Sequence, residues 1–329
     1  MNFISTDNLN SIIAEITDFC NAACPMCNRF DWDLNLKSKV NKNHLLLPFF
    51  KDRIGSKIIK QLKNFTAGGT YGDGSVNPDC LEIFDFIKIN NNECNVVLST
   101  NGGSRNTEFW QELGKLKIHI IFAIDGLEDT NHLYRRNVKW EKLMDNVNAF
   151  ISAGGKATWE FIVFKHNENQ LEEAKTLSKK LKFNNFTVKY TGRWSDFNDE
   201  GIYRNVDKIK VDDYYIEKPI SQGIPNISSV HKEKNIKMGQ KIVCQSFSNN
   251  KSEIYIRANG LVSPCCWLGD IEIHEASQLI KDFKSVNLNY SSLHEIMNSE
   301  FFKTVAEGIY NLSSHSRLKT CVDCCGVGA

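Results

Sequence analysis

From residue 12 to about 191 the chain alternates short apolar runs with stretches whose apolar residues recur at helical spacing. "SIIAEIT" reads as a strand that runs directly into a cysteine-bearing loop, and "IKQLKNFTAGGTYGD" carries a second strand into a glycine-rich turn. "PDCLEIFDFIKI" is amphipathic, with Leu81, Phe84 and Ile87 or Lys88 at steps of three to four. Next come "CNVVLSTNGG", "TEFWQELGKL", "IHIIFAIDGL", "WEKLMDNVNAFISAGG", "ATWEFIVFKHN", "QLEEAKTLSKKL" and "FNNFTVKYTGRW", so that strand and helix alternate about six times. Near-continuous apolar strands such as "HIIFAI" and "FIVF" suit a parallel sheet covered on both faces, with the helices as crossovers. The pattern predicts a parallel α/β barrel or part of one over residues 1–193. Its unusual residues, in "GTYGDG", "STNGG", "IDG" and "KHN", all follow a strand, which is the active-site edge of such a barrel.

The periodicity then stops. Residues 194–240 are rich in Asp, Asn, Ser and Lys and contain Pro219 and Pro225, which predicts a linker or a cover lying over the barrel. From 241 to 329 the chain reads as a small second domain organised around a metal: a strand pair in "SEIYIRANGLVSPCCW" turning at Asn259-Gly260, a helical "SLHEIMNSEFFKTVAEGIY", and a final "CVDCC".

Charge narrows the partners. The 40 Lys and Arg nearly balance 39 Asp and Glu, so nothing draws the chain to nucleic acid or to anionic lipid. The N-terminus lacks a basic start followed by an apolar stretch, and no run approaches the ~18 apolar residues of a membrane span, so a cytoplasmic location is expected. In that reducing setting eleven cysteines, odd in number and clustered, read as ligands rather than as disulfides. Cys80 and Cys94 stand apart and are expected to be plain packing thiols.

"ITDFCNAACPMCNR" spaces Cys20, Cys24 and Cys27 with three residues and then two between them. Structural zinc wants four protein ligands and catalytic zinc three, whereas a cubane iron–sulfur cluster held by three thiolates keeps one iron open. The trio alone leaves both readings standing. Its spacing, its place after a strand, and the flanking Phe19 and Met26 resemble the cluster motif of the radical S-adenosylmethionine (SAM) superfamily. "YGDGSVNPDCLEI" is similar to that family's Gly-Gly-Glu-Pro segment, with Tyr71 for the first Gly, Asp73 for Glu and Gly74 for Pro. "LSTNGG" and "FAIDGLEDTNHLYRR" resemble its third and fourth strand ends, and Asn167 the asparagine after the fifth.

The resemblance implies a partial (β/α)6 TIM-like barrel in which Cys20, Cys24 and Cys27 hold a 4Fe-4S cluster whose open iron binds SAM. It places Gly72 and Asp73 at the methionyl amino group, Arg135 at the carboxylate, and Thr100, Asn101, Asp125 and Asn167 at the ribose or the turns beneath it. A reductase such as flavodoxin or ferredoxin is the implied electron donor. Cys244, Gly260 with Cys265 five residues later, and Cys321-x2-Cys324 resemble the auxiliary-cluster extension called SPASM or twitch. Six cysteines, without the block expected between Cys266 and Cys321, match the shorter twitch form with one auxiliary 4Fe-4S cluster, Cys266 and Cys325 being the spares. Read alone, the same cysteines would suit a zinc ribbon. Four thiolates fill all four irons, which leaves electron transfer as that cluster's task and points to a net oxidation.

Loss of a proton from a substrate radical needs a base. Glu160 in "ATWEFIVF" and Lys189 in "FTVKYT" are polar residues in apolar strands and line the cavity if the strand alternation turns them inward; as outward-facing residues they would be plain surface charges. The expected substrate is a small polar molecule, such as a sugar or aminocyclitol, that is dehydrogenated or epimerised. A ribosomally made peptide is the alternative, against which stands a barrel beginning by residue 12 with no leader-recognition domain before it. A non-catalytic metal-binding scaffold is the reading from another class.

Overall fold

The computed structural model describes residues 5–197, 203–221, 241–247, 250–269, 275–311 and 314–326. Six parallel strands follow one another in space as in sequence: β1 (Ser11–Ala14), β2 (Asn64–Ala67), β3 (Asn95–Thr100), β4 (His119–Ala123), β5 (Lys156–Ile162) and β6 (Asn185–Lys189). The crossovers are α1 (Gly55–Gln61), α2 (Cys80–Asn90), α3 (Thr107–Lys115), α4 (Trp140–Ser152) and α5 (Leu171–Lys180). Their apolar stripes cover the sheet, as a parallel sheet requires. Trp110 of α3 meets Phe122 of β4 at 5.5 Å between ring centroids, and Phe122 meets Phe150 of α4 edge-on at 5.9 Å. All three are fully buried, a contribution of roughly 1.5–3 kcal/mol per large side chain. Helices α3 and α4 touch at Gly114, where a Cβ would stand 2.5 Å from the Phe150 carbonyl oxygen. Cys80 and Cys94 lie in this core, at 0% and 1% exposure, and serve packing.

Within the 194–240 segment, residues 194–197 and 203–221 hold more secondary structure than their composition predicts. A pair β7 (Ser195–Phe197) and β8 (Tyr203–Asn205) precedes a hairpin of β9 (Lys208–Val211) and β10 (Tyr214–Glu217); residues 222–240 lie outside the described residues. In the hairpin, alternate residues Ile209, Val211 and Ile216 are buried, a period-two pattern too short to stand out among its polar neighbours. It is tied to the barrel by Tyr214 Oη donating to the Leu133 carbonyl at 2.8 Å and by the Lys165–Glu217 pair.

The C-terminal strand pair does not stand apart. Strand β11 (Glu253–Ile256) pairs in parallel with β1, and β12 (Val262–Ser263) pairs antiparallel with β11, extending the sheet to eight strands in the order β12-β11-β1-β2-β3-β4-β5-β6. All four residues of β11 are buried, and without the barrel its apolar faces would be exposed. The predicted turn is present, with Gly260 at φ +86. Three helices complete the region: α6 (Leu293–Met297), α7 (Glu300–Tyr310) and α8 (Lys319–Cys325). Among the described residues no helix is long and apolar enough to cross a membrane.

Candidate functional site

The parallel register aligns Ala14 with Ala67, Ala67 with Leu98, Thr100 with Phe122, Ala123 with Glu160, and Ile162 with Lys189. The segments leaving the strands therefore converge on one edge, around a cavity of about 350 Å3. Cys20, Cys24 and Cys27 all face it from the loop after β1. That loop is held by Asp18, whose carboxylate accepts from the Lys42 and Asn43 backbone N–H groups at 2.8 and 2.9 Å and from Asn43 Nδ2 at 2.8 Å. Burial pushes the Cys24 thiol up to about 11 and raises that of Cys20 as well, so ligation at neutral pH must displace protons. Among the described residues no three His, Cys, Asp or Glu side chains are gathered closely enough to hold a single metal ion. Three thiols face a shared cavity from one loop, and three thiolates are the number of protein ligands that a cubane with one open iron takes.

Gly72 and Asp73 form the next wall. Gly72 presses on the β1 loop so closely that a Cβ would stand 1.7 Å from the Thr17 carbonyl oxygen, which no side chain can satisfy without moving the backbone. The carboxylate of Asp73 is occupied from within. Its Oδ1 accepts from Ser75 N and Oγ at 3.1 and 2.6 Å and from Thr100 Oγ1 at 2.8 Å. Its Oδ2 accepts from Asn101 N and Nδ2 at 2.7 and 2.6 Å. A carboxylate offers about four lone-pair sites, so this geometry makes Asp73 the tie that joins the strand ends of β2 and β3. Asn101 Nδ2 also lies 3.7 Å from Cys20 Sγ, connecting that tie to the cysteine loop.

Arg135 faces the cavity, with Nε 2.6 Å from Asp125 Oδ2 and Nη1 3.6 Å from Cys24 Sγ. Asp125 itself is fully buried and does not reach the cavity; its Oδ1 accepts from Ile162 N at 2.6 Å. Burial raises its pKa, and the Arg135 guanidinium opposes that rise. Asn167 is likewise away from the cavity: its Nδ2 donates to the carbonyls of Asp125 and Ile162 at 2.9 and 3.0 Å, and its Oδ1 accepts from Phe164 N at 2.7 Å. Both residues bind the ends of β4 and β5 together. Glu160 Oε2 and Lys189 Nζ are 2.5 Å apart, both lining the cavity along with Tyr190 and Thr191. The two residues stand on neighbouring strands, with Glu160 paired to Thr187 and Lys189 to Ile162; that offset of two residues turns both side chains to the same face.

Glu15, the only charged residue of "SIIAEIT", was not singled out by sequence reasoning, although a lone carboxylate in an apolar strand is a signal. It is buried behind the glycine turn, accepting from Tyr71 N at 2.5 Å and Gly72 N at 3.2 Å. Burial pushes its pKa up to about 7, against those two donors and the charge of Arg257, which favour the carboxylate. The unfolded side chain titrates near ~4.3, so between about pH 4 and pH 7 the folded state binds more protons and stability falls as pH rises. Glu15→Gln, which keeps the acceptor oxygen and carries no charge, is expected to remove about 3 kcal/mol of that decline. Urea midpoints of both proteins at about pH 5 and about pH 8 check this; the same decline in the variant would exclude Glu15 as its cause.

The remaining cysteines assemble on the C-terminal side. Cys244, Cys265, Cys321, Cys324 and Cys325 line one apolar recess with Ile242, Phe247 and Leu268, while Cys266 is exposed and outside it. Cys321, Cys324 and Cys325 share one face of α8 at helical spacing. Cys325 is brought to the recess along with the residues expected there, and its sulfur is hydrogen-bonded to Cys244, which lowers the Cys325 thiol to about 6. A doublet in sequence cannot reveal this, because which cysteine faces inward depends on where the helix begins.

The sequence model of the radical SAM superfamily matches residues 14–179, and that of the SPASM iron–sulfur cluster-binding domain matches 244–325. No curated protein is a significant sequence match. Among solved structures, Streptococcus suis SuiB bound to S-adenosylmethionine is 12% identical over 98% of this chain and 73% of its own, with a TM-score of 0.58. Native anSMEcpe with bound AdoMet is 11% identical over 96% of this chain and 88% of its own, with a TM-score of 0.54. At these identities the likeness establishes the fold. The superfamily match spans half the chain and contains the cysteine trio together with the glycine turn and the strand ends around it. The chain belongs to the radical SAM superfamily and carries a C-terminal SPASM iron–sulfur cluster-binding domain.

Proposed function

We propose that this radical SAM enzyme dehydrogenates a small polar molecule, such as a sugar or aminocyclitol, held at the Glu160–Lys189 end of the cavity. The observation that carries the reading is that pair: a carboxylate and an ammonium 2.5 Å apart, on the cavity that the three cysteines also face. The cavity is at the small end of ligand sites, which favours a compact reacting group beside SAM. Cys20, Cys24 and Cys27 hold the SAM-binding cluster, and Cys244, Cys265, Cys321 and Cys324 the auxiliary one, with Cys325 the competitor for the last position. When bound, the clusters supply the electron chemistry, namely cleavage of SAM to a 5′-deoxyadenosyl radical and acceptance of the electron left on the substrate. A flavodoxin- or ferredoxin-type reductase is the proposed donor.

The chain's own residues do the rest. Thr100 and Asn101, locked by Asp73, and Gly72 form the wall along which SAM lies, and Arg135 offers its guanidinium beside Cys24. Loss of a hydrogen atom makes the hydroxyl or ammonium proton on the same carbon acidic, and Glu160 accepts it. Lys189 orients the carboxylate.

A peptide substrate is the second reading, because folds of this kind include SuiB bound to its precursor peptide SuiA and anSMEcpe bound to the Cp18Cys peptide, at TM-scores of 0.54 and 0.53. Anaerobic incubation with SAM, reductant and carbon-deuterated sugars, aminocyclitols or peptides separates the two. Deuterium is expected in 5′-deoxyadenosine from a small molecule, with a product lighter by two hydrogens. Deuterium transfer from peptides alone would overturn the small-molecule reading.

A further inference from the structure

Arg29 lies two residues beyond Cys27 and has no part in the resemblance drawn from the sequence. It is 2% exposed and lines the cavity on the wall formed by the three cysteines. Its Nη1 donates to the Asp18 carbonyl at 2.5 Å and to the Tyr71 carbonyl, and its Nη2 donates to Asn41 Oδ1 at 2.6 Å. All three acceptors belong to uncharged groups. Its Nε is buried with no hydrogen-bond partner among the described residues. A guanidinium never loses its proton in a protein, and burying one is costly without a counter-charge. Three neutral oxygens satisfy its geometry, and among the described residues no carboxylate forms an ion pair with it.

The carbonyls of Asp18 and Tyr71 belong to the cysteine loop and to the glycine turn, so one side chain binds both walls together. That fixes the cation relative to the thiols. A fixed buried cation favours whichever state of a nearby group is more negative, and net charge is among the determinants of an iron–sulfur potential. We infer that Arg29 is a positioning residue that supplies the counter-charge to the cluster held by Cys20, Cys24 and Cys27 and makes its one-electron reduction easier. The inference rests on the family assignment and on that ligand set.

The test is a redox titration of the holoenzyme, read by electron paramagnetic resonance, for wild type, Arg29→Gln and Arg29→Lys. The signal that changes when SAM is added identifies the N-terminal cluster. Arg29→Gln is expected to make reduction at least tenfold less favourable, a shift of about 59 mV to more negative potential. Arg29→Lys keeps the charge without the planar fork and is expected to stay near wild type. A Gln variant with full iron and an unchanged potential overturns the inference. So does a Lys variant that shifts as far as Gln, or that loses iron as Gln does, since the fork and not the charge would then be the need. Iron loading of the wild type is the separate check on the reading beneath it.

Discussion

Changing Cys20, Cys24 and Cys27 together to alanine is expected to lower bound iron from about eight to about four per chain and to abolish SAM cleavage. The three thiols face one cavity, and the auxiliary recess lies among residues 242–325, so the two sets share no ligand. The substitution leaves the packing ties in place: Asp18 still holds the loop through Lys42 and Asn43, and Asp73 still joins the strand ends. The variant is therefore expected to remain folded with its auxiliary cluster. Iron and sulfide assays after anaerobic reconstitution, with 5′-deoxyadenosine measured by chromatography, check both halves. A variant that keeps all its iron would remove these cysteines from the ligand set, and one that loses all of it would show that the two sites do not load independently.

Glu160→Gln is expected to lower substrate oxidation by roughly 10²–10⁴-fold, the usual contribution of a general base, while SAM cleavage without substrate continues at the wild-type rate. Gln keeps the length and the acceptor oxygen facing Lys189, and it cannot take a proton. Glu160 lines the cavity from β5, and the cysteines line it from the loop after β1, so the loss is expected to fall on the product and not on cofactor binding. Lys189→Met is expected to do less, because it leaves the carboxylate present but poorly oriented. Product and 5′-deoxyadenosine measured in the same reaction separate the outcomes. Equal loss of both would place Glu160 in SAM binding, and no loss of either would return the pair to a structural role.

The departure at "YGDG" shows what residue matching alone misses. Asp keeps a carboxylate where the family pattern has Glu, and from the letters it reads as a ligand for the methionyl amino group. In the fold it lines the cavity while its oxygens accept from Ser75, Thr100 and Asn101 at the strand ends. Asp125 and Asn167 show the same thing from another direction. Of the two places expected for them, the ribose or the turns beneath it, they lie off the cavity and are hydrogen-bonded to the backbone of β5 and its exit.

What the sequence by itself determined is local and periodic. The alternation of strand and helix, the order of the barrel strands, the thiol spacing after β1 and the Asn259-Gly260 turn depend on residues near one another in the chain, and a one-dimensional pattern carries them. Tertiary structure alone decided the rest. β11 joins β1 across some 240 residues; Glu160 meets Lys189 because β5 and β6 pair in one particular register; Cys325 reaches Cys244; Arg29 bridges two loops. A shift of one residue in either strand pairing would turn its side chains to the opposite face. Register and packing are set by the summed burial of the whole core, which no short stretch of sequence contains.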